Sequence, residues 1–355
     1  MELEQLGWDQ TFAADLARLA DPLLVPARVA RASRDFYTLL GSCGEIDARL
    51  PGKLRREPPV VGDWVACTPP APGHPGVIRA LLPRRSCFAR VAAGRRQNRG
   101  GAELQVLAAN IDTALIITDL DGDFNLRRLE RYLTLAWESG ARPAIVLNKA
   151  DLCAIPESFL GQVAAIAGEV PVHLLSAATG SGLEALNRYL APGRTVALLG
   201  SSGVGKSTLL NRLAGHSLQQ TGALSASDGK GRHTTTHREL FLLAGGGLLI
   251  DNPGMRELQL FGEETVLADT FDEIHTLAAG CRFADCRHQQ EPGCAVLAAA
   301  AAGELAPERL ASFQRQQQEL EYLNRRATSS AEAVQRQKWR AIHKEVRRFQ
   351  KRRDD

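Results

Sequence analysis

The stretch GSSGVGKST, residues 200–208, constrains the fold of this 355-residue chain more than any other. Its first eight residues fit the pattern G-x-x-x-x-G-K-[ST]. An apolar strand pattern, TVALLG, leads into it, and a helical pattern, KSTLLNRLAG, opens from it. Strand, glycine-rich turn and helix in that order make a phosphate cradle, because glycines let the backbone wrap the oxygens and the helix start turns its N–H groups toward the charge. Such a cradle belongs to a parallel sheet, and the preceding sequence supplies one. From residue 109, apolar runs alternate with helical patterns: TALIITDL, NLRRLERYLTLAWESG, RPAIVLN, SFLGQVAAIAG, VPVHLLS, GLEALNRYL and RTVALLG. That alternation predicts βαβ units and an α/β sheet covered on both faces.

Upstream of the cradle, NKAD (148–151) follows the strand PAIVL, so its side chains stand at the carboxyl end of that strand, where nucleotides bind in open α/β sheets. Asp151 can accept from two guanine donors, which adenine lacks, and a buried carboxylate left unpaired rejects the wrong base. Asn148, Lys149 and Asp151 are therefore the expected guanine readers, which disfavours an ATPase. SAATG (176–180) ends the next strand, and Ser176 and Ala177 are placed to meet the guanine oxygen through the backbone. In an ordinary small GTPase the phosphate loop comes before these elements. Here they come first, so the chain reads as a circularly permuted GTPase, a rearrangement tolerated when the termini of a domain lie close together.

The cradle residues Gly200, Ser201, Ser202, Gly203, Val204, Gly205, Lys206, Ser207 and Thr208 are the expected phosphate contacts. Lys206 would reach the β and γ phosphates, and the Ser207 hydroxyl would ligate Mg²⁺. DNPG (251–254) has the D-x-x-G form of a second switch: Asp251 would hold Mg²⁺ through water and the Gly254 N–H would sense the γ phosphate. Between them, GRHTTTHR supplies the first switch. Thr235 stands for a trio, Thr234, Thr235 and Thr236, one of which should ligate magnesium; spacing does not choose among them. Met255 follows Gly254, where many GTPases carry a glutamine that orients the attacking water. A thioether cannot do this, and His233 is the candidate for that catalytic role.

Three of the seven cysteines crowd into CRFADCRHQQEPGC. Cys281, Cys286, His288 and Cys294 form a complete tetrahedral set of three thiolates and an imidazole, the ligand set of one structural zinc ion. Cys43, Cys67, Cys87 and Cys153 read as buried thiols. Before residue 109, short apolar runs punctuated by glycine and proline suggest a small all-β barrel, with one helix in TFAADLARLA ahead of it. Net charge is only +3, but it is uneven. The loop AAGRRQNRGG (92–101) is basic, and the tail RQKWRAIHKEVRRFQKRRDD reads as a basic helix with Trp339 and Phe349 interleaved, the composition of an RNA phosphate contact. No apolar run is long enough to span a membrane, and MELEQLGWDQ has no secretion-signal pattern, so a cytoplasmic monomer with no membrane partner is expected.

Together, AANIDTALII, NKAD, SAATGSGLEAL, GSSGVGKSTLLN, GRHTTTHREL and CRFADCRHQQEPGCAV resemble the ribosome small-subunit-dependent GTPase A family over almost everything after residue 23. The resemblance implies an OB-fold barrel at 23–108, a permuted GTPase domain at 109–275 and a zinc-binding, mainly helical domain at 276–355, with 1–22 as an arm. It further implies that the chain engages the small ribosomal subunit and its rRNA during late maturation and hydrolyses GTP to GDP slowly until the subunit stimulates it; the hypothesis drawn from Met255 is that the ribosome orders the first switch and so brings His233 into place. One departure is Asn252, where the family usually has a small hydroxyl residue. The rival function is a GTP-gated RNA-binding module whose hydrolysis is incidental.

Overall fold

The computed structural model describes residues 1–33, 35–55, 57–91, 104–120, 122, 124–215, 238–251 and 265–326. The expectations for the basic loop 92–101, for His233, the threonine trio, Asn252, Gly254 and Met255, and for the basic tail lie outside the described residues.

Five strands form the barrel: β1 (Val25–Ala32), β2 (Phe36–Gly41), β3 (Gly44–Arg49), β4 (Trp64–Thr68) and β5 (Gly76–Leu81). They lie in the order β1-β2-β3-β5-β4, and β4 pairs again with β1, which closes the barrel. β3 and β5 run parallel while the other pairs are antiparallel, the arrangement of an OB fold. Strand alternation turns Val29, Tyr37, Leu39, Ile46, Val65, Cys67 and Ile78 inward. Cys67 and Cys87 are buried as expected, and Cys153 is half-buried. Cys43 is exposed, contrary to its reading as a buried thiol, because it sits with Ser42 in the two-residue turn between β2 and β3.

The arm folds onto the barrel. Its helix α1 (Gln10–Ala17) begins at Asp9, whose carboxylate accepts from Thr11 N at 2.9 Å and Phe12 N at 3.3 Å. Leu6 and Phe12 are buried, and Trp8 meets Trp64 of β4 edge-on at 4.7 Å. Arg28 of β1, only 1% exposed, donates to three carbonyls: Leu6 O of the arm, Gly62 O beside the barrel and Asn110 O at the entrance to the next domain.

A separate hairpin, β6 (Cys87–Val91) with β7 (Leu104–Ala109), leads into the α/β layer. There the strands are β8 (Thr113–Asp119), β9 (Arg142–Asn148), β10 (Val172–Leu174), β11 (Thr195–Leu199), β12 (Glu239–Leu242) and β13 (Leu248–Asp251), in the order β10-β9-β8-β11-β13-β12. All neighbours are parallel except β12 with β13. Every residue of β8, β11 and β13 is buried, as a sheet covered on both faces requires. Leu115 and Ile117 pack toward the helix α4 (Lys206–Ala214), while Ile116, Ile145 and Leu147 pack toward α2 (Leu126–Ser139) and α3 (Pro156–Ala167). GLEALNRYL, expected as a helix, forms only a 3₁₀ segment, Leu183–Tyr189. Gly182 in the left-handed region and Pro192 bound that run too tightly for several α turns.

The C-terminal region is helical: α5 (Thr265–Thr270), α6 (Asp272–Ala278), α7 (Ala295–Ala302) and α8 (Pro307–Arg326). It is clamped to α2. Thr134 donates to Thr270 Oγ1 at 3.1 Å, Arg131 grips both Glu319 oxygens, and Arg309 donates to Thr270 O and Glu273 Oε1, each at 2.5 Å. Arg309 also lies 3.0 Å from the fully buried Glu130, an ion pair by distance without hydrogen-bond alignment, and Arg127 donates to the same carboxylate.

Candidate functional site

The carboxyl ends of β8, β9, β10, β11 and β13 converge on one edge of the sheet and bring together every expected nucleotide residue that is described. The phosphate loop fits only as glycine at two points. Gly200 has φ 149°, and a Cβ there would sit 2.3 Å from Ile117 O; Gly205 has φ 93°, and a Cβ there would sit 2.3 Å from the Asn148 amide nitrogen. Gly205 immediately precedes α4 and supplies no side-chain cap, so the first-turn N–H groups are left for a ligand in the loop. Lys206 folds its ammonium back over the cradle, donating to Gly200 O at 3.0 Å and Ser201 O at 2.5 Å. Ser207 and Thr208 follow in that first turn, and Asp251 ends β13 almost buried.

The NKAD and SAATG loops are fastened to the glycine-rich loop 200–205 by one side chain. Asn148 is buried, donates to Val204 O at 2.7 Å and accepts from Ala177 N at 2.9 Å, so its amide ties NKAD to the cradle and to SAATG together. Ser176 is also buried; its hydroxyl accepts from Thr179 N at 3.1 Å and folds the SAATG loop on itself. Lys149 takes a left-handed backbone, φ 61°, after which a 3₁₀ turn, Ala150–Leu152, carries Asp151 at the surface. Sequence reasoning missed two residues here. Arg212 of α4 donates to the Ala177 and Ala178 carbonyls, steadying the SAATG loop from the helix that follows the glycine-rich loop. Asp119, the last residue of β8, accepts from Lys149 Nζ at 2.7 Å. No motif contains Asp119, although its place at a strand's carboxyl end was a readable signal.

The cysteine cluster is assembled as expected. The ligand atoms of Cys281, Cys286, His288 and Cys294 all lie within 4.8 Å of one another. Cys281 Sγ and Cys294 Sγ are 3.8 Å apart, and His288 Nδ1 is 3.6 and 3.4 Å from them. A tetrahedral ion at ~2.3 Å from sulfur and ~2.0 Å from nitrogen has edges of roughly these lengths, so the cluster fits a metal ion. The start of α7 serves the thiolates: Leu297 N donates to Cys294. Burial pushes the Cys281 thiol up, but hydrogen bonds from the Val296 and Ala295 N–H groups together with those of the Cys294 and Cys286 thiols more than offset it and leave the thiol below its usual range. Glu291 collects the N–H groups of Arg287, Gln289 and Gln290, and Gln314 of α8 donates to the His288 carbonyl at 2.5 Å, which fixes the loop around the imidazole.

NKAD and SAATG first, then the G-x-x-x-x-G-K-S loop and then the buried Asp251, met along the chain in this order behind a closed barrel, define a circularly permuted P-loop GTPase with a Cys₃His metal-site cluster. Residues 81–261 match the RsgA GTPase family model. A protein of Opitutus terrae named small ribosomal subunit biogenesis GTPase RsgA is 48% identical over 358 residues, 97% of this chain and 96% of its own length. Among solved structures, YjeQ from Thermotoga maritima superposes with a TM-score of 0.63 at 28% identity, covering 84% of this chain and 99% of that one. YloQ, described as a circularly permuted GTPase, shares the fold, with a TM-score of 0.59 at 23% identity over 84% of this chain and 95% of its own. The chain belongs to the RsgA GTPase family and is a GTP hydrolase.

Proposed function

We propose that the chain binds the small ribosomal subunit, assists its late maturation, and hydrolyses GTP to GDP and phosphate at a rate the subunit raises. One observation supports this beside the relatives' names: the elements adjoining both switches touch a flanking domain. β12, which follows the first switch, pairs with barrel strand β1 through Arg31 and Glu239, and the chain beyond the second switch enters α5, whose Thr270 carbonyl accepts from Arg309 of α8 in the zinc-binding region. A nucleotide-dependent change at either switch thus has a short route to a flanking RNA-binding domain. In this reading residues 1–22 are an arm, 23–108 the RNA-binding OB domain, 109–275 the GTPase and 276–355 a domain built on one structural zinc ion.

Lys206 and the loop Gly200, Ser201, Ser202, Gly203, Val204, Gly205 and Thr208 hold the phosphates, while Lys149, Asp151, Ser176 and Ala177 meet guanine. Asn148 acts on guanine through the loops it ties. Ser207, one threonine of Thr234, Thr235 and Thr236, and Asp251 are oxygen donors of the kind Mg²⁺ prefers. Bound there, the ion would neutralise charge on the β and γ oxygens. Gly254 senses the γ phosphate, and His233 positions the water in place of the missing glutamine. The protein works as a monomer in the cytoplasm, and among the described residues no helix is long and apolar enough to cross a membrane.

The test is GTP turnover alone, with isolated small subunits and with large subunits. Stimulation by small subunits only is expected. Tight GTP binding without stimulation would reassign the chain as a GTP-gated RNA-binding module. His233→Ala should abolish the stimulated rate while leaving subunit binding intact.

A further inference from the structure

Asp119 is the last residue of β8 and pairs in register with Asn148 of β9. It is 3% exposed, at the edge of the sheet where the guanine and phosphate loops meet, and a carboxylate in such a place persists only when paired. Its Oδ2 accepts from Lys149 Nζ at 2.7 Å, and the next residue, Leu120, donates its N–H to Asn148 O at 3.1 Å. The end of β8 therefore grips NKAD by backbone and by side chain.

What it grips matters. Lys149 stands at φ 61° and ψ 36°, a left-handed backbone that a residue with a side chain enters only under constraint. That conformation turns the chain from β9 into Ala150–Leu152 and sets the direction of Asp151. The residue whose backbone aims Asp151 is thus the residue whose ammonium Asp119 anchors.

We propose that Asp119 is a positioning residue for guanine recognition, holding Lys149 so that the left-handed turn presents Asp151 to the base. The inference rests on NKAD being the guanine site. Asp119 touches no part of the base itself; it acts through Lys149, so its effect must vanish when Lys149 is gone. An ion pair serving only the fold would lower the melting temperature of the protein without altering its preference for guanine.

The experiment is equilibrium binding of GDP and of ADP to the full chain, for the wild type, Asp119→Ala, Asp119→Asn, Lys149→Ala and the Asp119→Ala/Lys149→Ala double variant, each with a melting curve. Loss of a buried charged hydrogen bond predicts GDP binding roughly tenfold weaker in Asp119→Ala, with weak ADP binding unchanged. Asp119→Asn, whose amide oxygen still accepts, should fall between, and it decides the matter if Asp119→Ala melts below the assay temperature. The double variant should bind GDP no more weakly than Lys149→Ala. Folded Asp119 variants with wild-type GDP affinity, or additive losses in the double variant, would overturn the inference. A wild type that binds GDP no better than ADP would instead sink the guanine reading on which it stands.

Discussion

At Gly205 two constraints coincide, a left-handed backbone and a Cβ that would run into the Asn148 amide. Gly205→Ala should weaken GDP and GTP binding by on the order of 100-fold, since the strain of about 1–2 kcal/mol and the collision both act inside the loop. Gly203 is the control: its φ is 88°, but a Cβ there meets nothing within 4 Å, so Gly203→Ala should cost only the strain. Titration calorimetry of the two variants distinguishes strain from collision. His173 gives a pH signature. Burial, helped by Arg188, holds its imidazole below the usual histidine range, and it hydrogen-bonds Tyr189 OH at 2.8 Å. The unfolded chain therefore takes up this proton before the folded one does. The stability contribution is present in full above the unfolded value of about 6.5 and is lost as pH falls through the lower folded value. His173→Gln should flatten the fall of melting temperature below pH 6.5, where the wild type keeps its slope.

The helical elements make two predictions. Of the segment 281–294 only His288 and Cys294 are buried, so a metal ion held by the Cys₃His cluster would supply the core the segment lacks. Stripping metal with a chelator should release one zinc ion per chain and expose this segment to protease while GDP binding persists; Cys286→Ser should do the same at lower chelator concentration. The clamp between α2 and α8 should be costly to break from one side. Arg309→Met leaves Glu130 fully buried beside Arg127, which is itself a third exposed, and this predicts a loss of roughly 3–5 kcal/mol in chemical denaturation. The Glu130→Leu/Arg309→Met pair should recover the part due to the stranded carboxylate, because an apolar replacement removes both desolvation penalties at once, while the Thr270 and Glu273 bonds of Arg309 stay lost. Neither clamp residue carries a sequence signal. Arg309 and Glu130 are separated by most of the GTPase domain, and no periodicity reports a partner that arrives from another helix.

Across the molecule, what was legible in the sequence followed from local patterning. Continuous apolar runs such as TALIITD gave the parallel strands, and G-x-x-x-x-G-K-S, NKAD and the cysteine spacing pointed to the candidate sites, because each requires residues close together in the chain. What was not legible depends on distant approach: Arg28 reaching three separate segments, Asn148 serving two loops at once, Asp119 beneath Lys149, and an arm that packs its tryptophan against the barrel. The arm also has a mechanical meaning. The barrel is moored to the α/β layer by Arg31 with Glu239, by Val61, Gly62 and Arg28, which hydrogen-bond Ala109 and Asn110 at its entrance, and by the arm, where Gly7 lies against Gly193 ahead of β11. A body moored at several separated points has no free hinge. A push arriving along β12 would load every mooring at once, so a particle held by the barrel would be carried with the sheet instead of swinging against it.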